Sequence, residues 1–228
     1  AVFERFMRET PHRGFFVAAG LAPGLEWLEQ LSFGDAELEW MRRSGLFSAA
    51  FIDTMADFRF TGDVNALPEG TIFFPEEPLV QIIAPLPEAQ LIESRLMNIL
   101  HYHTLIATKA ARCVQVAGGT PVIDFGLRRA HGGEAGLWAA RACHLAGFKA
   151  TATCLGSVRY GIPPTGTMAH AFILAHDREI EAFEHFARSH PDNVVLLIDT
   201  YDVRRGAERV VEVPRRLAAD RIPIHGVR

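Results

Sequence analysis

No run in this sequence approaches the ~18 consecutive apolar residues of a membrane span, so no membrane partner is expected. Cysteine is scarce, at three among 228 residues. Cys113, Cys143 and Cys154 are odd in number and widely spaced, which argues against a disulfide framework and for a reduced, cytoplasmic setting. Neither sign of charge dominates. A formal net charge of −4 gives no reason to expect nucleic acid or an anionic lipid surface as a partner. Any basic site must therefore be local. No internal repeat and no low-complexity tract is visible. No signal peptide is expected, since patterned sequence follows Ala1 at once. What is present is ordinary globular composition, 49% hydrophobic and 22% charged, in a length that suits one large domain or two modest ones.

The first half reads as mixed α and β. Gly14 to Ala19 predicts a buried strand closed by Gly20. Pro23 suits a first helical turn, followed by Leu25, Leu28 and Leu31 at helical spacing. Asp35 and Ser48 are candidate N-caps of two further helices, one with Leu38 and Met41, the other with Phe51, Ile52 and Met55. Pro68-Glu69-Gly70 is a turn into a strand from Thr71 to Phe74. Pro75-Glu76-Glu77-Pro78 turns again into Leu79 to Ala84, giving a small antiparallel unit. Pro87 to about Ala117 is helical throughout, with a bend expected near His101 to Thr104.

From residue 119 the pattern changes. Four short apolar runs, Pro121 to Phe125, Ala150 to Cys154, Val194 to Ile198 and Ile222 to Val227, alternate with helical segments at Glu134 to Ala146, Glu179 to Ser189 and Ala207 to Ala219. Val194 to Ile198 is apolar on both faces, as in a parallel strand covered on both sides. The alternation predicts a parallel α/β sheet or barrel. In such folds chemistry gathers at the carboxyl ends of strands. Phe125, Arg128, Thr153, Thr167, His170, Asp199 and Arg228 all fall at such ends.

Two stretches carry the functional signal. Gly161 to Phe172 places the Thr167 hydroxyl and the His170 imidazole just after Gly166, in a segment too rich in glycine and proline for a plain helix. Val122 to Gly133 sets Phe125 and the pair Arg128-Arg129 at the end of an apolar run. An isolated Thr-x-x-His is weak evidence, and a double arginine alone reads equally as a solvated surface. Together they suggest a site for a flat, anionic substrate.

These residues resemble the nicotinate phosphoribosyltransferase family of type II phosphoribosyltransferases. The likeness is carried by Arg13-Gly-Phe-Phe-Val-Ala-Ala-Gly20, Phe58-Arg-Phe-Thr-Gly-Asp63, Thr104-Leu-Ile-Ala-Thr-Lys-Ala-Ala-Arg112, Asp124-Phe-Gly-Leu-Arg-Arg-Ala-His131, Gly166-Thr-Met-Ala-His170 and Asp199-Thr-Tyr-Asp202. It implies an α/β fold, with an N-terminal α+β domain over residues 1–118 and part of an irregular β/α barrel over residues 119–228. It also implies a homodimer with active sites at the subunit interface. Against the family pattern, the tyrosine-bearing N-terminal segment is missing. So is the Leu-Asp-Ser-Gly-Asp continuation after Gly226-Val-Arg228, with the phosphate-binding loops beyond it.

The chemistry so implied is displacement of pyrophosphate from phosphoribosyl pyrophosphate by the ring nitrogen of nicotinate, which forms nicotinate mononucleotide. A carbocation-like ribose and an anionic leaving group call for cations and in-line positioning. By resemblance, Arg128 and Arg129 bind phosphoribosyl pyrophosphate, the arginine fork matching phosphate oxygens. Phe125 stacks on the pyridine ring, though barrel packing is equally open to it. Thr167 and Arg228 hold the nicotinate. His170 corresponds to the histidine phosphorylated by ATP, a task that suits imidazole at neutral pH. Asp199 would hold Mg²⁺, or else cap its strand.

Acid specificity is expected over amide. Nicotinamide-specific relatives carry an aspartate where this chain has Ala152, and a carboxylate there would repel a carboxylate ligand. The nicotinate enzymes more often have Ser-Asn in place of Ala152-Thr153. A nicotinamide or quinolinate phosphoribosyltransferase is the alternative enzyme, and a non-catalytic paralogue the alternative outside enzymes. Quinolinate would want more clustered cations. A paralogue would show erosion of His170, Arg128 and Thr167. Asp124-Phe-Gly126 matches a kinase tripeptide without the accompanying loops. His101-x-His103 lacks a third ligand at metal spacing. Cys113 and Cys143 read as small apolar helix residues.

Overall fold

The computed structural model describes residues 1–11 and 13–228, in two compact units, Ala1–Pro164 and Thr165–Arg228. The division falls well after residue 118, where the sequence pattern changes. The first βα elements beyond that point belong to the same compact unit as everything before them.

The first unit runs β1 (Val2–Phe6), β2 (Phe16–Val17), α1 (Leu21–Gln30), α2 (Asp35–Ser44), α3 (Ala49–Ala56), β3 (Asp63–Ala66), β4 (Ile72–Phe73), β5 (Pro78–Ile83), α4 (Leu86–Ala117), β6 (Ile123–Asp124), α5 (Gly133–Leu145), β7 (Ala150–Thr151) and α6 (Cys154–Tyr160). β5 is the middle strand of an antiparallel sheet in the order β1-β5-β3, with Phe3 opposite Ile82 and Asn65 opposite Gln81. It takes the centre because Leu79, Val80 and Ile82 are all buried. β2 and β4 pair antiparallel, and the rings of Phe16 and Phe73 meet at 5.6 Å. The strand expected over Gly14 to Ala19 is thus a two-residue ladder continued by buried Ala18 and Ala19, with Ala18 donating to the Thr71 carbonyl and accepting the Gly70 amide, each at 2.8 Å.

α4 organises this unit. Its 32 residues run uninterrupted through His101 to Thr104, from Pro87 in the first turn to a left-handed Gly118 cap. Ile92, Leu96 and Leu100 face a core shared with the sheets, while Thr108 accepts the amide of Val17 at 3.0 Å. Gly20 lies against it, with a positive φ of 96° and an added Cβ only 3.0 Å from the Cβ of His103, so backbone and helix approach where only glycine fits. α2 and α3 close a second cluster of Leu38, Met41, Ile52 and Met55 over Phe58. Ser48 caps α3 as expected, accepting the Phe51 amide. Asp35 does not cap α2. Gly34 holds that position because Glu37 reaches back to its amide at 2.6 Å, which places Asp35 one residue inside the helix. Phe51 is exposed rather than buried with Ile52 and Met55.

An ion pair fastens α5 into this unit. Arg141 reaches both oxygens of Glu69 at 2.9 and 2.6 Å, and Glu69 also accepts the Gly20 amide. Burial pushes the Glu69 carboxyl up, but the Arg141 guanidinium outweighs it and holds the group below its usual range. Removing either partner of so shielded a pair costs roughly 3–5 kcal/mol. β6 and β7 then pair in parallel, Asp124 beside Thr151.

The second unit runs α7 (His170–Leu174), α8 (Glu179–Ser189), β8 (Val195–Leu196), α9 (Val203–Arg216) and β9 (Gly226–Val227). β8 and β9 are parallel neighbours, and Val194, Leu196 and Leu197 pack under Phe183, Ile173 and Val213. Parallel ladders and intervening helices make the chain mixed α/β. The ladders form pairs of two residues each, shorter than the apolar runs that announce them. No helix among the described residues is long and apolar enough to cross a membrane.

Candidate active site

In the second unit, four of the residues singled out from sequence come together. β8 leads through Leu197 and Ile198 to Asp199, and β9 ends one residue before Arg228. The two strands are locked in register, with Ile198 donating to the Arg228 carbonyl at 3.0 Å and Arg228 to that of Leu196 at 2.9 Å. This register sets the Arg228 side chain beside the glycine-rich segment, where its Nη1 donates to Thr167 Oγ1 at 2.6 Å.

His170 opens α7, because Ala169 still has extended backbone and serves as the N-cap. Its ring lies against the end of β8. Nδ1 is 3.1 Å from Thr200 Oγ1, and Nε2 is 3.9 Å from Asp199 Oδ1. Both His170 and Asp199 side chains are 54% exposed, so a solute can reach them. A carboxylate beside one ring nitrogen and a hydroxyl at the other can orient an imidazole for nucleophilic or proton-transfer work. Thr200, which the sequence reading passed over, is therefore part of this cluster. Its signal was present, a hydroxyl directly after the strand-end aspartate.

The first unit carries the remaining three. Phe125 follows β6 and is 45% exposed. Arg128 and Arg129 are exposed on a single 3₁₀ turn, Leu127–Arg129. Leu127 fixes that turn by packing on Gly136 of α5, where a side chain would collide with it. Asp124 shapes the same turn from below. Its Oδ1 accepts the Gly126 amide at 2.8 Å and its Oδ2 the Thr151 hydroxyl at 2.7 Å. Asp124 and Thr151 are functional candidates that sequence reasoning missed.

The flanking candidates resolve as follows. Ala152 follows Thr151, with Thr153 buried beside it as the N-cap of α6. His103 is fully buried, with Nδ1 2.8 Å from the Ile99 carbonyl, and burial lowers it to about 4. His101 instead meets Arg5 Nη2 at 3.3 Å on the exposed side, as residues two apart on a helix must diverge. Cys143 is half-buried, whereas Cys113 is exposed and so is not a buried apolar substitute.

The chain is similar to several known proteins. Residues 1–101 match the model of the nicotinate phosphoribosyltransferase N-terminal domain. A nicotinate phosphoribosyltransferase of Mycobacterium tuberculosis is 49% identical over 229 residues, covering 100% of this chain and 49% of that protein. One from Bacillus subtilis is 41% identical over 230 residues, covering 100% of this chain and 46% of its own length. The crystal structure of human nicotinic acid phosphoribosyltransferase matches with a TM-score of 0.90 at 29% identity, over 100% of this chain and 56% of that one. The chain thus spans about half the length of the curated relatives it matches.

Proposed function

We propose, from the premise that this chain belongs with the nicotinate phosphoribosyltransferases, that it carries part of the active site of an enzyme making nicotinate mononucleotide and pyrophosphate from nicotinate and phosphoribosyl pyrophosphate. The single observation that carries this reading is the gathering of Thr167, His170, Asp199 and Arg228 within one compact unit, from segments that are distant in sequence. A phosphoribosyl transfer needs little covalent chemistry from the protein. It needs cations for the leaving group and fixed alignment of the two reactants.

Each residue then has a task. Arg228, steadied by Thr167, pairs with the pyridine carboxylate, since a guanidinium fork matches a carboxylate in two hydrogen bonds. Phe125 gives the pyridine a flat apolar face. Arg128 and Arg129 take phosphate oxygens of phosphoribosyl pyrophosphate. His170 accepts a phosphoryl group from ATP and loses it to water, and that hydrolysis drives the transfer. Asp199 suits a Mg²⁺ ion, which is commonly held by one or two carboxylates plus phosphate oxygens and water, and its half-exposed carboxylate fits that habit. Mg²⁺, when bound, neutralises phosphate charge.

The reading extends to architecture. In the whole enzyme, residues 1–118 supply the N-terminal α+β domain and residues 119–228 supply strands of an irregular β/α barrel, a division by chain pattern distinct from the two compact units, and the protein works as a cytoplasmic homodimer with shared sites. The absence of a carboxylate at Ala152 supports the acid over the amide as substrate.

The test is an assay of mononucleotide formation with nicotinate, nicotinamide and quinolinate in parallel, each with and without ATP. Nicotinate alone should be turned over, faster with ATP. Turnover of nicotinamide or quinolinate in its place would reassign the substrate, and turnover of none would favour a non-catalytic paralogue.

A further inference from the structure

We infer that Asp124 is a positioning residue, which works with Thr151 to set the turn that presents Phe125, Arg128 and Arg129. The inference rests on the reading of that turn as the phosphate- and pyridine-binding segment. Asp124 is only 7% exposed, so it acts through its neighbours rather than on a ligand. A buried carboxylate is costly unless hydrogen-bonded, and both of its oxygens are so engaged.

The bonding has a fixed direction. Thr151 Oγ1 accepts the amide of Thr153 at 3.0 Å and stands 2.7 Å from Asp124 Oδ2. A hydroxyl has one proton, and a carboxylate can only accept, so that proton points at Asp124. The other oxygen, Oδ1, receives the Gly126 amide at 2.8 Å. Gly126 in turn accepts the Arg129 amide at 2.9 Å, closing the turn that carries both arginines. A Cβ on residue 126 would stand 3.0 Å from Asp124 Oδ1, so glycine leaves room for the carboxylate. The Asp124 carbonyl meanwhile accepts the Ala152 amide at 2.8 Å. One buried side chain therefore joins β6, β7 and the cationic turn.

The experiment compares wild type, Asp124→Asn, Thr151→Val and Thr151→Ser. Phosphoribosyl pyrophosphate affinity is measured by calorimetry, kcat and KM by mononucleotide formation, and folding by thermal melting. Asparagine keeps the size but sets an N–H₂ where one of the two donors needs an acceptor. Valine keeps the carboxylate and removes its hydroxyl partner. Both should weaken phosphoribosyl pyrophosphate binding roughly ten- to a hundredfold. KM should rise with little change in kcat, as expected when ground-state and transition-state binding are lost together. Thr151→Ser should restore wild-type values. Unchanged affinity in Asp124→Asn and Thr151→Val would overturn the inference, as would equal impairment in Thr151→Ser. Should Asp124→Asn fail to fold, the valine–serine pair decides the matter. A wild type that binds phosphoribosyl pyrophosphate without forming product sinks the proposed reaction and leaves the affinities to judge Asp124. A wild type that does not bind it overturns both.

Discussion

The Arg228 guanidinium donates to the Thr167 hydroxyl at 2.6 Å across 61 positions of sequence. The two residues meet because β9 lies parallel to β8 and ends beside the glycine-rich segment. A long flexible side chain loses less entropy on binding a ligand when its fork is already aligned. Thr167→Val should therefore raise the KM for nicotinate about tenfold, close to the loss of one charge-assisted hydrogen bond. Arg228→Lys should rescue poorly, because an ammonium cannot form the two-point contact. Steady-state kinetics on the two variants checks this. A lysine variant with wild-type KM would remove Arg228 from the nicotinate contact.

Arg128 and Arg129 stand exposed on a turn held by Leu127 and Gly136, so truncating a guanidinium should not disturb folding. Arg128→Ala is expected to raise the KM for phosphoribosyl pyrophosphate about a hundredfold with a melting temperature close to wild type. Titration of the second substrate at saturating nicotinate measures the change. An unchanged KM would count against a phosphate contact.

His103 predicts a pH dependence of stability. Burial lowers its pKa from 6.5 to about 4 in the fold. The unfolded chain takes up the proton first, so the stability associated with neutral His103 is fully present above pH 6.5 and is lost as pH falls from there towards 4. The loss is on the order of 3 kcal/mol by linkage. Urea denaturation at pH 7.5 and 4.5 should show it, and His103→Gln should flatten the difference. Equal acid sensitivity in that variant would place the effect elsewhere.

The cysteines should differ in reactivity. Burial pushes the Cys143 thiol up to about 12, with Asp124 and Cys113 adding to the effect. Cys113 and Cys154 are exposed. Iodoacetamide at pH 8 should therefore label those two and spare Cys143, as peptide mass spectrometry would reveal. Labelling of Cys143 at a comparable rate would contradict the packing of α5.

Much of the fold was legible because burial leaves a period in the sequence. α8 matches the expected segment Glu179 to Ser189 residue for residue, its buried Ile180, Phe183 and Phe186 falling three and six apart. β1 and β3 were not legible. Val2–Phe6 carries Glu4 and Arg5, and Asp63–Ala66 carries Asp63 and Asn65, since each strand pairs on only one side of β5. The same limit applied to the site. His170 and Arg228 announce themselves by residue type and motif. Thr200 and Asp124 act through contacts to residues 30 and 27 positions away, and only the fold brings those partners within reach.

The central claim is that the imidazole set between Asp199 and Thr200 couples ATP to the transfer. Measuring ADP and nicotinate mononucleotide in the same reactions, for wild type and His170→Ala, tests it most directly. The account predicts that the variant makes no ADP and keeps a slow transfer that ATP no longer accelerates. ADP production at the wild-type rate by His170→Ala would contradict it.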